Sequence, residues 1–368
     1  MKLSRSSRLA AALAAGAVVL AACSDAGQVA DSGDGSGSTS DLSGTLNGAG
    51  ASSQAAAVLQ GWKIGFEEAN PGVTVNYDPV GSGGGRTQFL EGGVAFAGTD
   101  RALNDEELEQ SREVCGGATA YNLPLYINPI AVAYNLPGVD ELNLSPEVLA
   151  GIFAGRITTW DAPEIAADNE GADLPSTPIT PVHRADDSGT TENFTEYLAA
   201  AASSVWTFEA DGEWPSELGG EAAPQTSGVI QATTATEGAI TYADLSQVGE
   251  LGVAQIGVGE EFVAPTAESA AAVVENSPRA EGRPEGDLEV ELNRNTTGSG
   301  EYPIVLISYT LACPTYADAA QAELVSAFLT YVASEQGQQD AADAAGSAPI
   351  SDGLREQVTP LVEGISAA

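Results

Sequence analysis

Strand-like and helix-like segments alternate along this chain, and small or hydroxyl residues fill several of the turns between them. Strand-like runs lie at 42–48, 73–80, 94–98, 127–134 and 179–182, and helix-like runs at 53–69, 145–154 and 191–201, with a short helical stretch from Arg86. Apolar residues in 53–69 recur at the spacing of one helix face, whereas those in 73–80 alternate. This order of elements predicts an α/β fold.

Four of the turns share one design, in which a strand ends, glycine or hydroxyl residues follow and a helix usually begins. They lie at 48–53, 81–85, 98–100 and 186–190. Glycine lets the backbone approach a ligand closely, and free N–H groups at a helix N-terminus attract an anion. Because ligands of open α/β sheets bind where such loops converge, the sequence predicts an anion site. None of the loops carries the lysine of a nucleotide-hydrolysing phosphate loop.

The charge of the chain limits what this site can be. With 52 acidic and 13 basic residues the formal charge at pH 7 is −39, which argues against nucleic acid or an anionic membrane surface as the main partner. The same charge repels a free anion, so local donors must outweigh the overall field. The single histidine, His183, is interpreted as a hydrogen-bonded residue at a strand end. The sequence has no residue cluster with metal-ligand spacing and predicts no cofactor.

The N-terminus has the pattern of a secretion signal. Lys2, Arg5 and Arg8 precede an apolar run that is too short to span a membrane and ends in Leu-Ala-Ala-Cys. This ending resembles a bacterial lipobox, so we expect residues 1–22 to be removed and Cys23 to carry lipid. An ordinary signal peptide that contains a cysteine is the alternative. Residues 23–41 are rich in Gly, Ser and Asp and predict a flexible tether.

Cys115 and Cys313 remain once Cys23 is assigned to the lipid. An even pair in an exported protein suggests a disulfide. It would close a loop of roughly 200 residues, worth on the order of 5 kcal/mol in the chain-entropy model. Two buried free thiols are the alternative.

Taken in order, the four loops resemble those of the periplasmic phosphate-binding proteins of the bacterial high-affinity phosphate (Pst) transporter. They read Gly-Ala-Gly-Ala-Ser, Gly-Ser-Gly-Gly-Gly, Gly-Thr-Asp and Arg-Ala-Asp-Asp-Ser-Gly-Thr. Segments 152–160, 238–242 and 302–304 are also similar to that family. The resemblance runs from about Leu42 to the C-terminus.

The resemblance implies an α/β, two-domain periplasmic-binding-protein (venus-flytrap) fold with the ligand cleft between the domains. Domain I would hold residues 42–124 and 303–368, and domain II residues 125–302, with two hinge crossings near Leu125 and Tyr302. It also implies a monomeric protein, not an enzyme, that binds inorganic phosphate at the extracytoplasmic face, where the lipid expected on Cys23 would anchor it. The protein would deliver phosphate to membrane permease subunits driven by an ATPase.

The family's ligand positions can be carried over residue by residue. They fall on Ser52, Ser53, Ser82, Asp100, Arg184, Ser188, Gly189 and Thr190. Ser53 stands where many members have phenylalanine, so only its backbone N–H is expected to contribute. Arg184 would be the single charged donor, and Asp186 would hold it by a fork-like ion pair.

Asp100 carries the prediction of selectivity. A carboxylate suits an anion site if the ligand carries a proton and can donate a hydrogen bond to it, as hydrogen phosphate can and ionised sulfate cannot. A site built around such a hydrogen bond rejects the analogue that lacks it by about 10⁴-fold. The alternative is that Asp100 pairs with Arg101 at the surface. Arg101 itself either enters the pocket or lies outside it.

The sequence pattern also allows other functions. The same architecture could bind another tetrahedral oxyanion, sulfate or molybdate. A further hypothesis is a surface lipoprotein that senses phosphate. A secreted hydrolase of phosphate esters would need a nucleophile with a base or a two-metal site, and the sequence shows neither pattern.

Overall fold

The computed structural model describes residues 42–368. The predicted signal peptide at 1–22, the lipidated Cys23 and the tether at 23–41 lie outside the described residues. No helix within the described part is long and apolar enough to cross a membrane.

Strands and helices alternate along the described chain. The strands are β1 Ser43–Gly50, β2 Gly72–Asp78, β3 Phe96–Thr99, β4 Tyr121–Tyr134, β5 Asn143–Leu144, β6 Thr180–Arg184, β7 Glu221–Ala223, β8 Ala239–Asp244, β9 Gly252–Val253, β10 Gln255–Val258, β11 Glu261–Val263, β12 Val305–Ala312, β13 Thr315–Tyr316 and β14 Ser366–Ala367. The helices are α1 Lys63–Ala69, α2 Ser82–Leu90, α3 Asp105–Ser111, α4 Pro146–Phe153, α5 Pro163–Asp168, α6 Gly189–Ala201, α7 Gln225–Ala235, α8 Ala267–Glu275, α9 Ala319–Ala333, α10 Glu335–Ala345 and α11 Asp352–Glu363. A π-helical segment, Ala57–Trp62, leads into α1, and a 3₁₀ turn covers Leu245–Gln247.

A nine-stranded sheet forms the frame, in the order β2-β1-β3-β12-β4-β8-β6-β7, with β9 also paired to β4. β1 is parallel to β2 and β3, and β6 is parallel to β7 and β8. The long strands β4 and β12 run antiparallel to each other between these two groups. We call the two groups, with the helices and loops attached to them, the β1–β3 side and the β6–β8 side.

The crossing strands are longer than the sequence pattern indicated. β4 was expected over 127–134 and begins instead at Tyr121, so it passes through the predicted crossing near Leu125. Its partner β12 begins just after the predicted return crossing at Tyr302. Nearly every residue of both strands is buried, and this is why alternation gives no signal there.

Two helices next to the glycine-rich loops begin earlier than predicted. α2 begins at Ser82, within the glycine run, rather than near Arg86. Gly81, with a φ of 95°, precedes it in a conformation that favours glycine. α6 begins at Gly189 rather than Thr191, and the Ser188 hydroxyl accepts from the N–H of Thr191 at its start. Both differences bring free N–H groups closer to the strand ends.

Cys115 and Cys313 form a disulfide with a Cα–Cα distance of 4.9 Å, which confirms the predicted pairing. The bond ties the segment after α3 to the end of β12. The hydrophobic core is shared between the sides. Trp62, Phe66 and Phe328 pack within the β1–β3 side, and Phe153 and Phe194 within the β6–β8 side.

Candidate anion-binding site

The four predicted loops meet at the carboxyl ends of β1, β2, β3 and β6. Backbone hydrogen bonds hold the first three together, from Ala51 N–H to the Gly98 carbonyl and from Gly81 N–H to the Gly50 carbonyl, both at 2.9 Å. The fourth loop approaches from the other side, where Gly83 N–H donates to the Asp187 carbonyl at 3.3 Å. The site therefore lies between the two sides.

Asp100 lies at the centre of these contacts and is 3% exposed. The Ser53 hydroxyl donates to its two carboxylate oxygens at 2.8 and 2.9 Å, and the Thr190 hydroxyl donates to Oδ2 at 3.1 Å. The Asp100 N–H donates to the Ser82 hydroxyl at 3.2 Å. The structure thus brings Ser53, Ser82, Asp100 and Thr190 into direct contact. The hydroxyl of Ser53 takes part, although the sequence indicated a role for its backbone alone.

The environment of Asp100 sets its protonation. Burial raises the pKa of its carboxyl above the ordinary value. Hydrogen bonds from Ser53, Ser308 and Thr190 and the positive charge of Arg184 act in the opposite direction. Burial outweighs these donors, so the pKa of the Asp100 carboxyl stays above its ordinary value although each donor favours the charged form.

Arg184 is 3% exposed and is fixed by Asp186. Its Nε donates to Asp186 Oδ1 at 2.9 Å, and its Nη2 donates to Oδ2 in the second arm of a two-point ion pair. Burial alone would raise the pKa of Asp186, but the hydrogen bond and charge of Arg184 lower it below the ordinary value. The pair presents a guanidinium in a set orientation at the end of β6.

Ser188 and Gly189 form the start of α6 against the β1–β3 side. A Cβ on Gly189 would lie 2.6 Å from the Asp100 Cβ and 2.9 Å from the Ser82 hydroxyl oxygen. Only glycine lets the helix start come this close. The N-terminal N–H groups of α6 therefore point towards the same space as Asp100.

Ser52 is held from the β6–β8 side by residues that sequence reasoning did not single out. Its hydroxyl accepts from the Thr226 N–H at 3.1 Å and lies 3.0 Å from the Thr226 hydroxyl. The Gln247 side-chain amide donates to the carbonyls of Ser52 and Ser53 at 2.9 and 2.6 Å. All eight predicted ligand residues thus lie around one region, with Thr226 and Gln247 bracing its first loop.

Gln225 supports both halves of this arrangement. It is the only non-glycine residue with a positive φ in residues 42–368, at 60°, a conformation that costs free energy and clusters at functional sites. Its N–H donates to Asp186 Oδ1 at 2.9 Å, next to the Thr226 N–H that reaches Ser52. Pro224 precedes the start of α7, but the contacts of Gln225 and Thr226 join residues far apart in the sequence and could not be predicted from spacing.

Arg101 and His183 take other places. Arg101 pairs with Glu107 and Glu192 rather than with Asp100, and it lines a polar cleft of about 760 Å³ that reaches Asp100. His183 stacks on Trp214 with ring centroids 4.8 Å apart, and its Nδ1 lies 2.9 Å from the Arg184 carbonyl oxygen. Burial lowers the pKa of His183, in keeping with a packed imidazole at a strand end.

Comparison with known proteins agrees with this picture. A model of the PBP superfamily domain matches residues 35–336. Phosphate-binding protein PstS 2 of Mycobacterium tuberculosis is 36% identical over 377 residues, covering 100% of both chains. Phosphate-binding protein PstS 3 of Mycobacterium leprae is 34% identical over 88% of this chain and 87% of its own. The solved structure of a high-affinity periplasmic phosphate-binding protein, PfluDING, bound with phosphate, is 25% identical with a TM-score of 0.69, covering 87% of this chain and 99% of that one.

These matches confirm the predicted class, a two-domain periplasmic binding protein of mixed α/β structure. The chain belongs to the PstS family of phosphate-binding proteins.

Proposed function

We propose that this protein binds inorganic phosphate between the two sides of the sheet and delivers it to an ABC-type permease for import. The observation that carries the proposal is the convergence of four N–H-rich loops on one buried arginine and one buried aspartate. The relatives named above are phosphate-binding proteins, and PfluDING is bound with phosphate. The N–H groups of the loops, the hydroxyl groups and Arg184 are all groups that can donate hydrogen bonds to an oxyanion.

Arg184, fixed by Asp186, would supply the one full positive charge to the ligand. Free N–H groups at the starts of α2 and α6, including those of Gly189 and Thr190, and the hydroxyls of Ser52, Ser82 and Ser188 would supply neutral donors. Such dipoles act at short range, so they can bind an anion even though the chain carries a formal charge of −39. Asp100 would accept a hydrogen bond from the protonated ligand and so favour phosphate over ionised sulfate.

The domain assignment of residues 42–124 with 303–368 and of 125–302 fits this role. Ser53, Ser82 and Asp100 would come from domain I, and Arg184 and Thr190 from domain II. Phosphate that contacts both would stabilise the closed state by its higher affinity for that state. β4 and β12 would carry the two crossings of the hinge.

Outside the site, we propose that the protein acts as a monomer on the extracytoplasmic face, anchored through lipid on Cys23. The closed, loaded form would dock on the permease subunits, whose ATPase would drive release. The relatives' names and the chain's own signal pattern support this placement.

Calorimetric titration of the protein with phosphate tests the proposal. The expected result is saturable binding of one phosphate per chain. Arg184→Gln should weaken it by about 100-fold or more, because a buried charged hydrogen-bond donor is lost. Arg112→Gln is the matched control, since Arg112 pairs with Glu109 within its own segment. A wild type that takes up no phosphate would contradict the proposal, and saturation by sulfate or molybdate instead would assign another oxyanion.

A further inference from the structure

Two arginines beside the site pair with carboxylates on both sides of the cleft. On the β1–β3 side, Arg86 of α2 and Arg101 after β3 share Glu107 of α3, at 3.0 and 2.6 Å. Across the cleft, Arg86 Nη2 lies 3.0 Å from Asp187 Oδ2, and Arg101 Nε lies 3.0 Å from Glu192 Oε2. We call these five residues the closure network.

The closure network is partly shielded from water. The side chains of Arg86 and Arg101 are 5% and 21% exposed, and those of Glu192 and Asp187 are 27% and 44% exposed. Burial alone would lower the pKa of Arg101, but Glu107 and Glu192 raise it above its ordinary value. Burial alone would raise the pKa of Glu107, whereas its contacts with Arg101 and Asn104 lower it. Arg101 and Glu107 are therefore held in their charged forms, whereas burial outweighs the nearby arginines at Glu192 and raises its pKa above the ordinary value.

None of these contacts involves the predicted ligand residues. They join side chains of the two sides directly, so they favour the closed arrangement whether or not an anion is bound. The Gly83 N–H bond to the Asp187 carbonyl lies beside them and depends on the same approach. Opening of the cleft would separate Arg86 from Asp187 and Arg101 from Glu192 while leaving both arginines on Glu107.

We propose that the closure network holds the two sides together before ligand arrives and thereby sets the fraction of chains that can bind tightly. Its effect on phosphate affinity rests on the proposed function. The apparent dissociation constant rises as the competent fraction falls. Loss of Glu192 or Asp187 should therefore weaken phosphate binding. The electrostatic field of the protein alone would make phosphate bind more tightly in these variants, because each substitution removes a negative charge near an anion site.

The test uses Glu192→Gln and Asp187→Asn, singly and together, with Glu109→Gln as a matched control. Glu109 also loses one charge and one arginine partner, but its pair with Arg112 at 2.8 Å does not cross the cleft. At low salt each single variant should bind phosphate about two- to fivefold more weakly, the range for partly exposed ion pairs. In the double variant, phosphate affinity should also depend less on salt concentration than in the wild type, because the ion pairs across the cleft that salt weakens by screening are absent. The control should bind as the wild type does.

Small-angle X-ray scattering without phosphate gives an independent measurement. The wild type should be compact at low salt and should expand in high salt, and the double variant should be expanded at both. The proposed role of the closure network would be wrong if the double variant stayed compact and bound phosphate as tightly as the wild type, or more tightly. If the wild type bound no phosphate, the proposed function would fail, and the scattering comparison would still decide whether these pairs hold the cleft closed.

Discussion

At the scale of single residues, Asp100 is the most informative side chain. Asp100 is 3% exposed, and burial of a carboxylate costs free energy of folding even when hydroxyl groups donate to it. The repulsion of the other acidic residues adds to this cost. A ligand that donates a hydrogen bond to Asp100 would explain why this carboxylate is buried in the site. An ion pair at the surface would not explain it. The contacts of Arg101 with Glu107 and Glu192 remove the simplest alternative partner.

Asp100→Asn should reduce discrimination between phosphate and sulfate. An amide can turn its NH₂ group towards an unprotonated oxygen, whereas a carboxylate can only accept. We expect sulfate to become a measurable competitor in phosphate displacement titrations of this variant. Asp105→Asn, at a side chain that is 99% exposed, is the control and should leave selectivity unchanged. Equal rejection of sulfate by Asp100→Asn and the wild type would remove the selective role of Asp100.

Asp244 is a second buried carboxyl, near the site but outside it. It accepts from Asn128 Nδ2 at 2.7 Å, from Tyr126 OH at 3.0 Å and from Ser246 N–H at 2.9 Å. Burial nevertheless raises the pKa of Asp244 to about 7. The folded state therefore keeps a proton that the unfolded chain releases at lower pH.

This difference gives a pH dependence with a definite sign. As the pH rises from about 4 to about 7, the contribution of Asp244 to the free energy of unfolding should fall by on the order of 4 kcal/mol. Asp244→Asn cannot ionise and should lessen this decline, as measured by chemical denaturation at pH 5 and pH 8. An unchanged slope in Asp244→Asn would show that the carboxyl is already ionised at pH 5.

Among the elements, the sequence pattern predicted the alternation of five strands with three helices and the four loops that converge. It did not predict where α2 begins, because glycine disfavours helix interiors and the run at 81–85 reads as a turn. The helix forms there because its first turn packs against the backbone near Gly50 and the Asp187 side chain, neither of which a local pattern contains. Thr226 and Gln247 were missed for the same reason, since Thr226 lies 174 residues from Ser52.

The start of α6 offers a test at this scale. In Gly189→Ala the new methyl group would meet Asp100 and Ser82, so α6 must move away from the β1–β3 side. We expect phosphate affinity to fall more than tenfold, with little change in melting temperature. Gly353→Ala, in a helix where an added Cβ meets nothing within 4 Å, is the control and should bind normally. Normal affinity in Gly189→Ala would mean that α6 does not approach Asp100 in the bound state.

At the scale of the whole molecule, β4 and β12 join the two sides through one continuous sheet. The disulfide ties the segment before β4 to the end of β12, at a sequence separation of 198 residues. The end of β12 runs towards the start of β3, opposite the loop that follows Thr99. The disulfide should therefore support stability without affecting ligand binding.

Replacement of both Cys115 and Cys313 by serine should lower the free energy of unfolding by about 2–5 kcal/mol. Phosphate affinity, measured well below the melting temperature, should stay within about twofold of the wild type. Comparison with the reduced wild type controls for the substitutions themselves. A large loss of affinity in the folded variant would show that the bond also positions the crossing strands.

We propose that Asp100 selects phosphate by accepting a hydrogen bond from the protonated ligand, while Arg184 and neutral donors from both sides bind its other oxygens. The most direct measurement is competition of sulfate against phosphate on the wild type at neutral pH. We expect saturable phosphate binding that sulfate does not displace even at about 1,000-fold excess. Displacement by sulfate at concentrations similar to those of phosphate would contradict it.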